Sequence, residues 1–324
     1  MTQTKQTNSN AWAKGAPKFA KSDNQDTKPS VQVNNFTEPV KVQEKPSTNS
    51  NSVPHFNWES NKFAEIAEYF HSNGFVIIDN AISSDQVEKL KAELNKAQAA
   101  VNKYGKKQSD RHDMFKCFFE QSPTTVDIIE SSRLADFAQY VIADVPDNRV
   151  GNSSLKAHVI HSNAFSVPPG GRGQAPSWHV DDPPQQVIIP PGKTLPDWLK
   201  LPVLVCTYMI WLSDCDTPDH GPTHVVPGSH RFGRVVEPEL AEQLGIPACG
   251  KAGTAVLVNA NVWHRGCANK SNKSRDTLQI TWARRIIGHK HKTIMDYRMP
   301  PHVYANRSDL LKERMGFLQG GAYS

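Results

Sequence analysis

The sequence predicts an α+β protein, mainly β, with helices ahead of a jelly-roll core. Three observations predict it. Residues 1–55 are rich in Asn, Gln, Ser, Thr, Lys and Pro and hold few large apolar side chains. Segments of helical period follow and end near Val141. From about Leu155 onward, short apolar or alternating runs are separated by Pro and Gly, the pattern of an antiparallel sandwich or barrel.

The first segment cannot bury enough apolar surface to offset the entropy of ordering, so a disordered tail is expected over 1–55. Ala11-Trp12-Ala13-Lys14 and Phe19 stand out in it, either as a docking motif or as stray aromatics. The folded domain is expected over 56–324. Phe63, Ile66, Ala67 and Phe70 recur at helical spacing, with Asn73-Gly74 as a stop. Phe75 to Ile78 reads as a strand. Ser83-Ser84-Asp85 offers an N-cap to a second helix with the apolar face Val87, Leu90, Leu94 and Ala97. One further helix is expected over Thr124 to Val141. Strands are expected over Lys156 to Phe165, Trp178 to His179, Val203 to Leu212, Thr223 to Val226, Thr254 to Val258 and Thr277 to Ala283. The jelly-roll core then spans about 155–285. No internal repeat is visible.

Composition excludes several classes. A net charge of +5, from 37 basic and 32 acidic residues, is too mild for a nucleic-acid partner. Cys117, Cys206, Cys215, Cys249 and Cys267 are scattered and odd in number, which reads as reduced thiols. Met1 to Asn10 is polar, and no run approaches the roughly 18 apolar residues of a membrane span. A soluble, cytoplasmic protein with no membrane partner is expected, and Asn-x-Ser/Thr triplets such as Asn306-Arg-Ser308 are then chance.

His179-Val180-Asp181 lies on or at the end of an expected strand, where residues i and i+2 project from one face. His264 closes the apolar run from Thr254 to Val262 and supplies a third donor. Two histidines and one carboxylate on one side of an ion form the facial triad of non-haem Fe(II) oxygenases. Alone this decides little: thirteen histidines and nineteen aspartates in 324 residues give about 0.8 chance H-x-D triplets. Arg275 adds weight. Eleven residues after His264, it leads into a strand and reaches the same cavity from the neighbouring strand. A dicarboxylate chelating iron by its keto-acid end leaves its far carboxylate in need of a guanidinium fork, with a hydroxyl such as Thr277 beside it.

From about Phe56 to the Arg284 region the chain resembles the phytanoyl-CoA dioxygenase-like branch of the 2-oxoglutarate oxygenases. Gly74-Phe-Val-Ile-Ile-Asp-Asn-Ala-Ile-Ser83 is similar to the family's opening strand and helix. Trp178-His-Val-Asp181 is similar to its iron motif, and His220-Gly-Pro-Thr-His-Val-Val-Pro-Gly-Ser-His230 to its most specific stretch. Pro227-Gly228 makes a tight turn there, and burial of Ser229 and His230 would fix the loop over the pocket. The resemblance implies a double-stranded β-helix, Fe(II) at His179, Asp181 and His264, and 2-oxoglutarate held by Arg275. It also implies a cosubstrate contact near Tyr208. There are two departures. Pro-rich Asp182 to Pro202 is expected to form a variable loop over the site. Gly266 stands where some relatives carry a polar cosubstrate contact.

The chemistry so implied consumes O2 and 2-oxoglutarate, releases succinate and CO2, and hydroxylates a C–H bond of a small molecule, with ascorbate as accessory reductant. Related halogenases lack the carboxylate ligand, so Asp181 favours hydroxylation. Lys193, Arg172, Arg231 and Arg234, in or near loops, would suit an anionic substrate or are plain surface charges. Gly170-Gly171-Arg172-Gly173 reads as a flexible lid or an ordinary loop. Gly245 to Lys251 nearly spells a phosphate loop, but Ala252 follows and Pro247 sits inside it. His289-Lys-His291-Lys reads as a solvated basic turn, and Cys267 as packing. Three other readings stay open: a catalytically silent jelly-roll binding module, a cupin-like metal enzyme without a keto acid, and a protein or nucleic-acid hydroxylase recruited through the tail.

Overall fold

The computed structural model describes residues 53–103, 113–144, 155–173, 175–181, 188–189, 195–196, 198–233, 237–291 and 296–317. The expected tail, up to residue 52, lies outside the described residues, as do Lys193, Arg234 and most of 182–197.

A short strand β1 (His55–Asn57) precedes helix α1 (Phe63–Asn73), strand β2 (Phe75–Asp79) and helix α2 (Ser84–Lys103). α1 buries Ile66, Ala67 and Phe70 as its spacing requires, and ends at Gly74. At the start of α2, Ser83 Oγ accepts the Gln86 amide and Gln86 Oε1 accepts the Ser83 amide, a reciprocal cap. Strand β3 (Asp113–Lys116) follows, then α3 (Pro123–Ser131) and α4 (Arg133–Ala143) where one helix was expected. The break is at Ser132, whose extended backbone lets its hydroxyl accept the Ala135 amide at 3.2 Å. Serine competes with the helix for its own backbone, so a Ser-Ser pair divides the run.

β4 (Ala157–Val167), β5 (Val205–Trp211), β6 (His224–Val225), α5 (Pro238–Leu244), β7 (Ile246–Pro247), β8 (Ala255–Asn259), β9 (His264–Arg265) and β10 (Arg275–Arg284) build the sandwich, and α6 (Pro301–Tyr304) and α7 (Asp309–Arg314) follow. The large sheet runs β1-β2-β8-β5-β10-β4-β3, the small one β7-β6-β9. Only β1 and β2 pair in parallel among these ladders. The large sheet therefore recruits strands from ahead of residue 155. β1 and β3, of three and four residues, are too short to announce themselves by period.

One face of the large sheet meets the helices: Tyr208, Ile210, Leu278, Ile280 and Trp282 pack with α1, α2 and α4. The other face meets the small sheet, where Phe75, Ile77, Trp211, Val256 and Val258 pack against Val225 and Val262. Among the described residues no helix is long and apolar enough to cross a membrane.

Gly74 joins α1 to this second core. Its φ is +77°, and a Cβ there would lie 2.3 Å from Val262 Cγ2 and 2.5 Å from His230 Nδ1. Gly74→Ala combines a left-handed backbone with a clash, and we expect a loss of about 2–4 kcal/mol in denaturant unfolding.

His230 is buried and donates from Nε2 to the His71 carbonyl at 3.0 Å. Burial, then the neighbouring Arg231, outweighs that carbonyl and pushes its pKa down to about 4. The unfolded ring titrates near 6.5. Stability is thus unaffected by His230 above that pH, and falls as pH drops from about 6.5 towards 4, by roughly 3 kcal/mol in total. His230→Gln should flatten that part of the pH–stability curve.

Candidate metal centre

His179, Asp181 and His264 converge although no long strand carries them. His179 and His264 form an isolated antiparallel bridge, each amide donating to the other's carbonyl at 3.0 and 2.9 Å. The expected strand at Trp178 is reduced to that bridge because Pro176 and Pro183 flank it and cannot donate. The Asp181 amide donates to the Ala260 carbonyl, so the turn after β8 carries the acid inward. Asp181 Oδ1 lies 3.8 Å from His179 Nε2 and 3.7 Å from His264 Nε2. All three donor atoms lie within 4.8 Å of one another, the one such group of His, Cys, Asp and Glu among the described residues.

Backbone carbonyls fix the two rings. His179 Nδ1 donates to the Ser177 carbonyl at 2.8 Å, and His264 Nδ1 to the Val262 carbonyl at 2.9 Å. Each Nε2 then keeps its lone pair and faces the acid. Burial, its largest cause, holds His264 below the ordinary imidazole pKa against the opposing pull of Asp181. A neutral ring is the form that binds a metal.

Neighbouring residues hold the two ligand segments together. Arg265 donates to both carboxylate oxygens of Glu242 on α5, with the Nη2 bond at 2.8 Å, and lies 4.6 Å above the Trp178 ring. The Trp178 indole donates to the same carboxylate at 3.2 Å. Ser229 Oγ accepts the Trp263 amide at 2.8 Å, so the Pro227-Gly228 turn anchors the residue before His264. No motif announced the clamp: Glu242 is sixty-four residues from Trp178 in sequence.

Arg275 opens β10 and is buried at 7% exposure. Its strand is not next to that of His264; the two lie in facing sheets. Nη1 donates to the Cys267 carbonyl at 3.4 Å, Nε has no partner, and no carboxylate pairs with it among the described residues. Adjacent Asp276 is committed elsewhere, accepting the Ser166 hydroxyl at 2.6 Å. Burial pushes the guanidinium pKa down against the weaker opposing pull of Cys215, Cys267 and Asp276. Thr277 is buried beside it, opposite Trp211. Gly173, at φ +74°, lets the backbone close in: a Cβ there would lie 2.6 Å from the Cys267 carbonyl.

Several expectations are corrected. Tyr208 pairs with Ile280 on the helix-facing side, and its hydroxyl donates to the Leu134 carbonyl at 2.9 Å, so it points away from the site. Arg231 spends its guanidinium on the Leu199 and Pro196 carbonyls. The Gly170 run is pinned, Gly170 and Gly171 bonding to Asn269. His291 is buried against Phe119, His289 and Tyr297 rather than solvated.

Two imidazoles and one carboxylate make a donor set that could hold one metal ion, and a buried guanidinium sits at the carbonyl of Cys267, three residues after His264. Sandwich and site together define the class of non-haem iron oxygenases. The chain belongs to the phytanoyl-CoA dioxygenase family, whose model matches residues 70–277, and is a non-haem Fe(II), 2-oxoglutarate-dependent dioxygenase. Two relatives named ectoine dioxygenase agree. That of Sphingopyxis alaskensis is 26% identical over 251 residues, covering 67% of this chain and 75% of its own. That of Stutzerimonas stutzeri is 25% identical over 247 residues, covering 66% and 74%. In fold, AviO1 from Streptomyces viridochromogenes Tue57 is similar at TM-score 0.51 and 20% identity, over 68% of this chain and 95% of that one. HygX from Streptomyces hygroscopicus, solved with nickel and 2-oxoglutarate bound, is similar at TM-score 0.51 and 15% identity, over 68% and 86%.

Proposed function

We propose that His179, Asp181 and His264 hold Fe(II), that Arg275 with Thr277 holds the far carboxylate of 2-oxoglutarate, and that a small molecule is hydroxylated at a C–H bond. The observation that carries this is the pairing of a convergent donor triad with a buried guanidinium that has no carboxylate partner among the described residues. A silent binding module would have no reason to keep that guanidinium buried without an anion. When bound, the iron supplies the activation of O2 that no side chain can perform.

The chain's own groups do the rest. The Ser177 and Val262 carbonyls aim the two imidazoles, and Asp181 offsets part of the metal's charge. The Arg275 fork orients the cosubstrate, and the apolar wall around Trp211 and Val258 excludes water. One oxygen atom of O2 enters succinate, the other the hydroxylated product, and CO2 leaves from the keto acid. The relatives named for ectoine support a small-molecule substrate over a protein or nucleic acid.

Full-length protein supplied with Fe(II), ascorbate, 2-oxoglutarate and isotope-labelled O2, with ectoine as first trial substrate, tests this. Iron-dependent succinate carrying one labelled oxygen is expected. Folded protein that forms no succinate above its metal-free control overturns the reading.

A further inference from the structure

The inner face of the large sheet is divided. Across β2, β8 and the end of β5 it is apolar. Across β3, β4 and β10 it carries Met114, Phe165 and Val167 near Arg275 and turns polar beyond them. Lys116, exposed on the edge strand β3, stands opposite Asn163, Asn163 opposite Gln279, and His161 opposite Thr281, so these side chains share one face. Polar groups inside a sandwich are costly unless bonded.

The bonding here is incomplete: Gln279 and His161 are left with donors, and Asn163 with one acceptor. Asn163 Nδ2 donates to Gln279 Oε1 at 3.0 Å and faces His161 Nδ1 at 3.5 Å. Gln279 then turns its amide N–H groups onward, and His161 its Nε2–H. Burial, then Lys290 and Lys116, keeps His161 below the ordinary imidazole pKa, so the ring is neutral. Asn163 is 1% exposed and its Oδ1 has no partner, so the row is not a self-satisfied core network. Gln279 lies four residues along β10 from Arg275, about 13 Å. The Asp181 amide donates to the Ala260 carbonyl, the Ala260 amide to the Val205 carbonyl, and Val205 pairs with Ala283. Ala283 is two residues along β10 from the Thr281 that faces His161, so the His161 end of the row lies toward the triad, away from the arginine.

We propose that Lys116, His161, Asn163 and Gln279 recognise the primary substrate, and that they take an anionic oxygen group, carboxylate or phosphate, of a small polar molecule. This rests on the 2-oxoglutarate reading and supplies its substrate class. An apolar acyl chain laid on the row would strand its donors without acceptors. The reverse setting of the two amides would present acceptors and suit a cation; Lys116 on the next strand favours the donor setting.

The test uses full-length protein loaded with redox-inert Zn(II) and 2-oxoglutarate. Ligand-observed NMR compares size-matched probes: small carboxylates, phosphate monoesters, the corresponding neutral amides, amines, and short acyl thioesters. Anionic probes should bind in preference, and the stronger of the two anion arms names the group. Lys116→Met and Gln279→Leu should each weaken them about tenfold. Both variants should keep 2-oxoglutarate affinity within about twofold, read from the visible band of the Fe(II) form. Equal or better binding of neutral, cationic or acyl probes overturns the proposal, as does an absence of anion binding. Loss of 2-oxoglutarate affinity in the variants, with probe binding intact, overturns it too. A missing visible band in the unaltered protein would instead sink the parent reading, so the two failures are distinguishable.

Discussion

His264→Ala is expected to cut iron-dependent succinate formation by more than about 100-fold, while the protein stays folded. The ring is buried, and its Nδ1 bond to the Val262 carbonyl leaves Nε2 no role but to face Asp181 and His179. The bridge between residues 179 and 264 is made by main-chain atoms, so it survives removal of the ring. Circular dichroism and a thermal melt establish folding, and metal analysis after dialysis should show iron lost together with turnover. Activity within tenfold of the unaltered protein would mean that the imidazole is not a ligand.

Arg275→Leu produces the second large effect, and it has two opposite parts. The Michaelis constant for 2-oxoglutarate should rise about a hundredfold, equivalent to roughly 3 kcal/mol, because a bidentate charge-assisted contact is lost. Metal affinity should hardly change, since no atom of the triad is touched. Without cosubstrate, however, the variant should melt at a higher temperature than the unaltered protein. Removing a buried cation that has no carboxylate partner among the described residues relieves a desolvation penalty. Arg275→Lys should recover only part of the affinity, because an ammonium lacks the planar fork. A lower melting temperature for Arg275→Leu would show that the guanidinium has a structural partner.

Much of this site is readable in the sequence because its parts are local. His179 and Asp181 sit two apart, Gly74 follows a clear helical period, and Pro227-Gly228 marks its own turn. The alternation of Thr277, Gln279 and Thr281 with Leu278, Ile280 and Trp282 places β10 without any tertiary knowledge. Tyr208 shows where such reading stops. Its strand was identified, but which face turns to the helices depends on pairing with Ile280, a partner seventy-two residues away in sequence. A register argument of period two inverts if one strand end is misplaced.

Other features left no local mark. The split at Ser132 turns on a hydroxyl choosing a cap over a helix interior. The Trp178–Arg265–Glu242 clamp and the carbonyls that orient the imidazoles join distant segments or use backbone atoms that every residue has. The polar row at His161 and Asn163 did carry a signal, two polar residues at spacing two, though in a strand that also holds His158, Ser162 and Ser166. That signal has meaning only once β3 and β10 are seen on either side.

The most direct measurement is an anaerobic titration of the metal-free protein with Fe(II) and then 2-oxoglutarate, watched for the weak visible metal-to-ligand charge-transfer band of a chelated keto acid. The account predicts that the band appears at one equivalent, vanishes in His179→Ala, and in Arg275→Leu needs far more 2-oxoglutarate to appear. Folded protein that binds both and shows no band, or a band that survives loss of His179, would contradict it.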